Sequence, residues 1–226
     1  MKPVGVLGGM GPEATILLMQ KVLKAVPAQD DADHIPLIVH QNPQVPSRIA
    51  ALIDGVGKDP GPTLARMARD LEKAGAGALV IPCNTAHHYA GVIAAATDLP
   101  FLNMIDLTAK ALARAGAKNI GMLASPATRL AGVFDASFAT HGLCPVWAED
   151  DAGIFRIIKA VKAGQGADSL GDLLVAEAQA LMHQGADHLL VACTELSLLT
   201  GSLPDRLPWT DSLDCLTSAI IEFSIG

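Results

Sequence analysis

Cys83 and Cys193 each close an apolar run, residues 78–81 in one case and 188–191 in the other, and each is followed by polar residues, Asn84-Thr85 and Thr194-Glu195. A lone cysteine is more often a small buried hydrophobe than a reagent. Two of them at equivalent strand ends read differently, because ligands in open parallel sheets bind beyond the carboxyl ends of the strands. A helix starting after each cysteine would add N–H groups and a positive dipole end, drawing the thiol pKa down from about 8.5. Like acid/base groups on opposite sides of a cleft suit inversion of a carbon centre: one takes a proton from one face while the other delivers a proton to the opposite face. One thiol must then enter as thiolate and the other as thiol, so their titrations are coupled. If that carbon is the α-carbon of an amino acid, donors must hold the carboxylate as charge moves onto it. Asn84, Thr85 and Thr194 are candidates, although Asn and Thr at such places also cap helices. Cys144 and Cys215 have no comparable setting and are expected in the core.

The elements that would position these thiols are written twice along the chain. The first half reads as a strand over 4–7, a glycine turn, a helix from 12 to about 26, a strand over 34–40, helical spacing over 63–74 and a strand over 78–81. The second half repeats the order, with a strand over 119–123, the turn Ala124-Ser125-Pro126, a helix over 170–183 and a strand over 188–191. Gly75-Ala76 precedes Cys83 by the same eight positions (83 − 75) as Gly185-Ala186 precedes Cys193 (193 − 185). Leu99-Pro100-Phe101 followed by Asp106 resembles Leu207-Pro208-Trp209 followed by Asp214. Apolar runs alternating with helices indicate parallel sheets covered on both faces. The expected architecture is α/β, with two similar lobes related by a pseudo-twofold, residues 1–102 and 103–209, and a C-terminal helix over 210–226 returning to the first.

The composition narrows the partners. Sixteen basic against 23 acidic residues, a formal charge of -7, leave no electrostatic footprint for nucleic acid or an anionic membrane. Residues 74–97 carry no charge, but Pro82, Asn84, His87 and His88 mark a strand end and a polar turn instead of a membrane span. Four cysteines far apart suggest free thiols in a reducing cytoplasm, and the glycine-rich N-terminal run is unlike a secretory signal. Gly8-Gly9-Met10-Gly11-Pro12-Glu13 lacks dinucleotide spacing and places a carboxylate where phosphate would lie, so it reads as backbone that lets a small substrate come close to a helix end. No metal is expected: Cys83, His87, His88, His188 and Cys193 have no ligand spacing, and two adjacent histidines cannot easily share one ion. His88, His183 and His188 read as surface or boundary residues. A two-lobed sensor that binds an amino acid without transforming it is a rival reading, although a sensor has no evident need of paired cysteines.

At three places the chain resembles the aspartate/glutamate racemase family: Gly8-Gly9-Met10-Gly11-Pro12 with Thr15, Pro82-Cys83-Asn84-Thr85-Ala86-His87, and Cys193-Thr194-Glu195. The resemblance implies two Rossmann-like lobes, a homodimer, and racemisation by two cysteines with neither pyridoxal phosphate nor metal, so no cofactor. Glu195 stands where the glutamate racemases of cell-wall synthesis usually have His, which makes the chain more similar to the aspartate racemases. Asn42-Pro43-Gln44-Val45-Pro46-Ser47-Arg48 is similar to the segment whose arginine binds a substrate carboxylate, and Val161-Lys162-Ala163-Gly164 to one that supplies a lysine for the same purpose. The implied site places catalytic Cys83 and Cys193 among Met10, Gln44, Arg48, Asn84, Thr85, Ser125, Lys162, Thr194 and Glu195. Its expected ligand is a small amino acid. Ala124-Ser125-Pro126-Ala127-Thr128 departs from the Thr/Gly-rich loop of the aspartate racemases. Relatives in the wider superfamily include hydantoin racemases, maleate isomerases and decarboxylases. The presence of both cysteines favours racemisation over decarboxylation, which needs only one acid.

Overall fold

The apolar runs assemble into two separate parallel sheets. In a computed structural model, which describes residues 1–52, 55–165 and 167–226, the first half contains β1 (Val4–Gly8), α1 (Pro12–Ala25), β2 (Leu37–Gln41), α2 (Arg48–Leu52), α3 (Gly61–Lys73) and β3 (Ala78–Val80). A 3-10 helix at Thr85–Tyr89 and α4 (Ala90–Ala94) follow, then α5 (Met104–Arg114). The second half contains β4 (Asn119–Ala124), α6 (Pro126–Leu130), α7 (Asp135–His141), β5 (Cys144–Val146), α8 (Ala152–Lys162), α9 (Ala167–His183) and β6 (His188–Ala192). It closes with a 3-10 helix at Leu196–Ser202, β7 (Trp209–Asp211) and α10 (Ser212–Ile225). The sheets have the strand orders β2-β1-β3 and β5-β4-β6-β7.

Their equivalence reaches individual contacts. Phe101 bridges to Leu79 as Trp209 pairs with Leu189, so a single bridge in the first sheet stands where the second has β7. The Leu79 N–H donates to the Pro100 carbonyl at 2.9 Å, and that of Leu189 to the Pro208 carbonyl at the same distance. A side chain at Gly5 would collide with Leu71, Ala76 and Leu79; one at Gly121 would collide with Leu181, Ala186 and Leu189. In both lobes the helix before the cysteine-bearing strand packs directly on the backbone of the central strand. On α3 the contact face is Leu64, Met67, Ala68 and Leu71, the i, i+3, i+4, i+7 stripe of an amphipathic helix. Gly75 and Gly185, at φ 93° and 97°, end the two helices in the left-handed region, as the sequence suggests for Gly75.

Each sheet is covered on both faces, and the covering helices are exchanged between halves. One face of the first sheet packs on α3; the other, with Val4, Val6 and Val80, buries against Leu18 and Val22 of α1 and Leu213, Leu216 and Ile220 of α10. The second sheet packs on α8 and α9 on one side. On the other it meets Ile105, Ala109 and Leu112 of α5, with Phe138 of α7. Burying one such aliphatic side chain contributes about 1.5–3 kcal/mol. The N–H of Lys2 donates to the Ser224 carbonyl at 3.0 Å and the Ser224 hydroxyl donates to the Lys2 carbonyl at 2.9 Å, joining α10 to the start of β1.

Some expectations need correction. The strand expected over 34–40 begins at Leu37, because Asp31–Asp33 is a 3-10 turn capped by Asp30 and Pro36 has no N–H for the ladder. The closing helix begins at Ser212, because residues 209–211 pair with β6 before Asp211 caps the helix. Cys144 is exposed, not in the core, because it lies on the edge strand β5; Cys215, on α10, is only partly buried. The uncharged stretch 74–97 becomes β3, the 3-10 turn and α4. No helix among the described residues is long and apolar enough to cross a membrane.

Candidate active site

The two cysteines end up at the carboxyl ends of β3 and β6, both buried, with Cys83 8% and Cys193 7% exposed. The turns that carry them are joined. Thr194, adjacent to Cys193, donates its hydroxyl to the carbonyl of Pro82, adjacent to Cys83, at 3.2 Å. Asn84 Nδ2, on the other side of Cys83, donates at 3.0 Å to the hydroxyl of Ser212 at the start of α10, which in turn donates to the Val191 carbonyl of β6. Thr85 Oγ1 lies 3.2 Å from Ser125 Oγ and 2.9 Å from Thr128 Oγ1, forming a buried triangle of hydroxyls between the halves. The bonds made by Thr194, Asn84 and Thr85 cross from one half of the chain to the other.

A cavity of about 50 Å³ lies beside this junction, with Thr85, Ser125, Cys193 and Glu195 on its walls. Ser47, Arg48 and Ile49 close it from one side, and Ile158 and Lys162 of α8 from the other. Arg48 Nη1 donates to the Pro46 carbonyl at 3.3 Å, while its Nε is buried and unpaired. A buried guanidinium N–H with no acceptor is costly in a dry site, and an incoming carboxylate would relieve it. Cys193 Sγ donates to Glu195 Oε2 at 3.1 Å, and Lys162 Nζ lies 3.2 Å from Glu195 Oε1.

The family described as Asp/Glu/Hydantoin racemase matches residues 7–220, which include both cysteine turns, Arg48 and Lys162. The chain belongs to the Asp/Glu/Hydantoin racemase family. Membership places it among racemases, which are isomerases. It is 25% identical over 235 residues to the broad specificity amino-acid racemase RacX of Bacillus subtilis (strain 168), covering 96% of each chain. Picrophilus torridus aspartate racemase superposes with a TM-score of 0.85 at 28% identity, over 99% of this chain and 94% of that one. Glutamate racemase from Francisella tularensis subsp. tularensis SCHU S4, solved with D-glutamate, shares the fold at a TM-score of 0.66 and 16% identity, over 98% of this chain and 80% of that one.

Within this racemase fold the residues suggested by sequence separate into four groups. Arg48, Thr85, Ser125, Lys162, Cys193 and Glu195 gather on the cavity. Cys83 is off the cavity wall, in a core cluster, and Met10 is packed in the same cluster with Leu64, Met67 and Leu71 of α3, 3% exposed. Asn84 and Thr194 spend their side-chain donors on bonds between the halves, although Asn84 Oδ1 stays buried and unpaired. Gln44 is exposed and outside the cavity wall; its N–H bonds to Asn42 Oδ1 at 3.0 Å in a local turn.

The helices expected after the cysteines are 3-10 helices, and the electrostatics at Cys193 run opposite to expectation. Burial and the Glu195 carboxylate push its thiol well above the usual range, outweighing Lys162. His87 lies behind Cys83 and off the cavity wall. Its Nε2 accepts the Met104 N–H at 3.1 Å, so Nδ1 carries the proton and donates to the Cys83 carbonyl at 2.9 Å. Burial lowers its pKa to about 4, keeping the ring neutral in this bridge between the cysteine turn and α5. His88 and His183 are exposed and His188 is half-buried, as their sequence settings suggest.

Reasoning from single motifs missed Thr128 and Asp211, and the duplication is the signal that finds the second. Asp211 caps α10 as Asn103 caps α5, accepting the Leu213 N–H and, at 2.8 Å, the Ser197 hydroxyl from the turn after Cys193. It is 1% exposed, and Lys21 Nζ lies 3.6 Å from its Oδ2. Burial, reinforced by Asp214, raises its pKa from 3.8 to about 6. The folded protein therefore holds a proton there that the unfolded chain has lost, so this contribution to stability is full below pH 3.8 and is lost as pH rises through about 6. His87 has the opposite sign over nearly the same window, since its depressed pKa favours the folded state above pH 6.5. Asp211→Asn removes one of these opposed slopes. Urea unfolding at pH 4 and pH 7 should show the variant gaining on the parent by about 2–3 kcal/mol at the higher pH. An equal difference at both pH values would mean that Asp211 is ionised throughout.

Proposed function

We propose that this racemase-family chain interconverts the enantiomers of aspartate, and with them those of glutamate, by transfer of the α-proton between Cys83 and Cys193 without a cofactor. The observation that carries the reading is the Thr194 bond to the Pro82 carbonyl, which sets the two cysteine-bearing turns against one another. One sulfur, as thiolate, removes the α-proton, and the other, as thiol, supplies a proton to the opposite face. Charge moving onto the α-carboxylate would meet backbone N–H donors of the Thr85, Ser125 and Thr194 turns. Arg48, through its unpaired Nε, would hold the side-chain carboxylate, and Lys162 would add a point charge. A pair of cations at the cavity suits a substrate with two carboxylates. The cavity holds about one or two waters in its present form, so admitting an amino acid requires the 47–49 segment and the end of α8 to separate.

Similarity to the broad specificity amino-acid racemase RacX supports amino-acid racemisation, and similarity to the Picrophilus torridus aspartate racemase supports aspartate. We take the lobes to divide at residues 102 and 103, with α10 counted with the first. Two free buried thiols suit a reducing cytoplasm. The resemblance and an exposed apolar strip on α1, Ile16, Met19 and Leu23, support a homodimer.

Proton NMR of the purified protein with L-aspartate in heavy water, alongside chiral chromatography and repeated with L-glutamate, tests the reaction directly. The α-proton signal should disappear as the D-enantiomer accumulates. Absence of exchange with every amino acid tried would overturn the racemase and turn attention to maleate-type isomerisation or ligand sensing.

A further inference from the structure

The two thiols have equivalent places in the fold but unequal neighbours. Two residues after Cys83 stands Thr85, whose hydroxyl is bonded to Ser125 and Thr128 and brings no charge. Two residues after Cys193 stands Glu195, 6% exposed, with one carboxylate oxygen on Lys162 and the other accepting the Cys193 thiol at 3.1 Å. Overall exposure does not separate the two residues, at 8% and 7%, although Cys193 borders the cavity and Cys83 lies in a core cluster off its wall. What separates them is a carboxylate placed to accept a hydrogen bond from a thiol and to repel a thiolate.

From this we propose that Glu195 is a positioning residue that keeps Cys193 protonated in the resting enzyme, so that Cys83 is the base and Cys193 the acid when turnover begins. The inference rests on the two-cysteine reading above. The charged groups around Cys193 are Glu195 on its own turn, Lys162 at the end of α8 and Arg48 at the start of α2. Lys162 is already engaged by Glu195, which limits its help to a thiolate. The upward push on the Cys193 thiol from burial and Glu195 agrees with the geometry.

The protons balance through the cycle. Cys83 thiolate takes the α-proton, and the C–H electron pair stays on the substrate as the carbanion. The carbanion then takes the Cys193 proton on its opposite face, leaving Cys83 as thiol and Cys193 as thiolate. That product form sets two anions beside one lysine. Return of a proton from Cys83 to Cys193 through water relieves it and restores the resting state. Since the enantiomers are equal in energy, kcat/KM is the same in both directions, and the asymmetry must be sought in the thiols themselves.

Site-resolved alkylation of the substrate-free protein with iodoacetamide across a pH series, read by peptide mass spectrometry, measures this. In the parent, Cys83 should react at lower pH and at least about tenfold faster near neutrality than Cys193. Glu195→Gln should lower the Cys193 midpoint by about one unit or more, as expected for losing a unit charge at this range, and leave Cys83 unchanged. Glu195→Asp, which keeps the charge, should stay close to the parent. If neither thiol is reached by the reagent, thiolate absorbance near 240 nm in Cys83→Ala and Cys193→Ala, each made in a background with Cys144 and Cys215 replaced by Ser, reports the one remaining sulfur. Equal ionisation of the two thiols in the parent, or a Cys193 midpoint unmoved in Glu195→Gln, overturns the proposal. Because none of these readouts needs turnover, such a result leaves racemisation standing. A missing α-proton exchange removes racemisation without touching the thiol measurement.

Discussion

Alanine at Cys83 or at Cys193 is expected to lower the rate of racemisation by about 10²–10⁴-fold, the usual worth of a positioned proton-transfer group. The two variants should fail differently. Cys193→Ala retains the proposed resting base, so it should still exchange the α-proton of one enantiomer with heavy water without inverting it. Cys83→Ala lacks that base and retains a sulfur held as thiol by Glu195, so its exchange should be slower. NMR exchange and chiral chromatography, run on both variants with both enantiomers, separate loss of abstraction from loss of delivery. Both cysteines are small and buried, and circular dichroism would verify that the variants fold. Full racemisation by either variant would rule out a two-base mechanism.

Gly9→Ala should destabilise the fold by roughly 2–6 kcal/mol, combining about 1–3 kcal/mol for a non-glycine residue at positive φ with a similar cost for overpacking. Gly9 sits at φ 96°, and a Cβ there would lie within 3 Å of backbone atoms of Asn42, 2.5 Å from its carbonyl oxygen. Backbone cannot swing away as a side-chain end can. The Gly9 N–H also donates to Thr15 Oγ1 at 2.9 Å, holding the turn to α1. Relief must come from moving residue 42, which opens the segment leading to Arg48, so weaker carboxylate binding should accompany the lower stability. Urea unfolding and the KM for aspartate measure the two effects. A midpoint unchanged from the parent would mean that residues 9 and 42 are less closely packed than described.

The duplicated landmarks are legible in the sequence because they are backbone requirements. Gly75 and Gly185 end helices in a conformation other residues resist, and the Pro100 and Pro208 carbonyls accept equivalent strand bonds. Residues whose charge or hydroxyl faces the cavity, Arg48, Thr85, Ser125, Lys162 and Glu195, were reached through motif resemblance with local chemistry. Side-chain direction was not legible. Gln44 and Arg48 lie in the same short segment, yet one faces solvent and the other the cavity, since no regular period relates them. Asn84 and Thr194 have the residue types of substrate donors, and only tertiary packing reveals that they bond across the chain halves. The raised Cys193 thiol shows the same limit, because a helix start argues for thiolate until a carboxylate is found 3.1 Å away.

The exchange of α5 and α10 has a consequence during synthesis. As the chain leaves the ribosome, β1, β2 and β3 emerge with α1 and α3, but one face of that sheet lacks Leu213, Leu216 and Ile220 until residues 212–225 have also emerged. The half made first is thus the one completed last, and it must carry Val4, Val6 and Val80 covered by α1 alone while the second half condenses around α5. A nascent chain stalled before residue 212 would be a natural client for a holding chaperone.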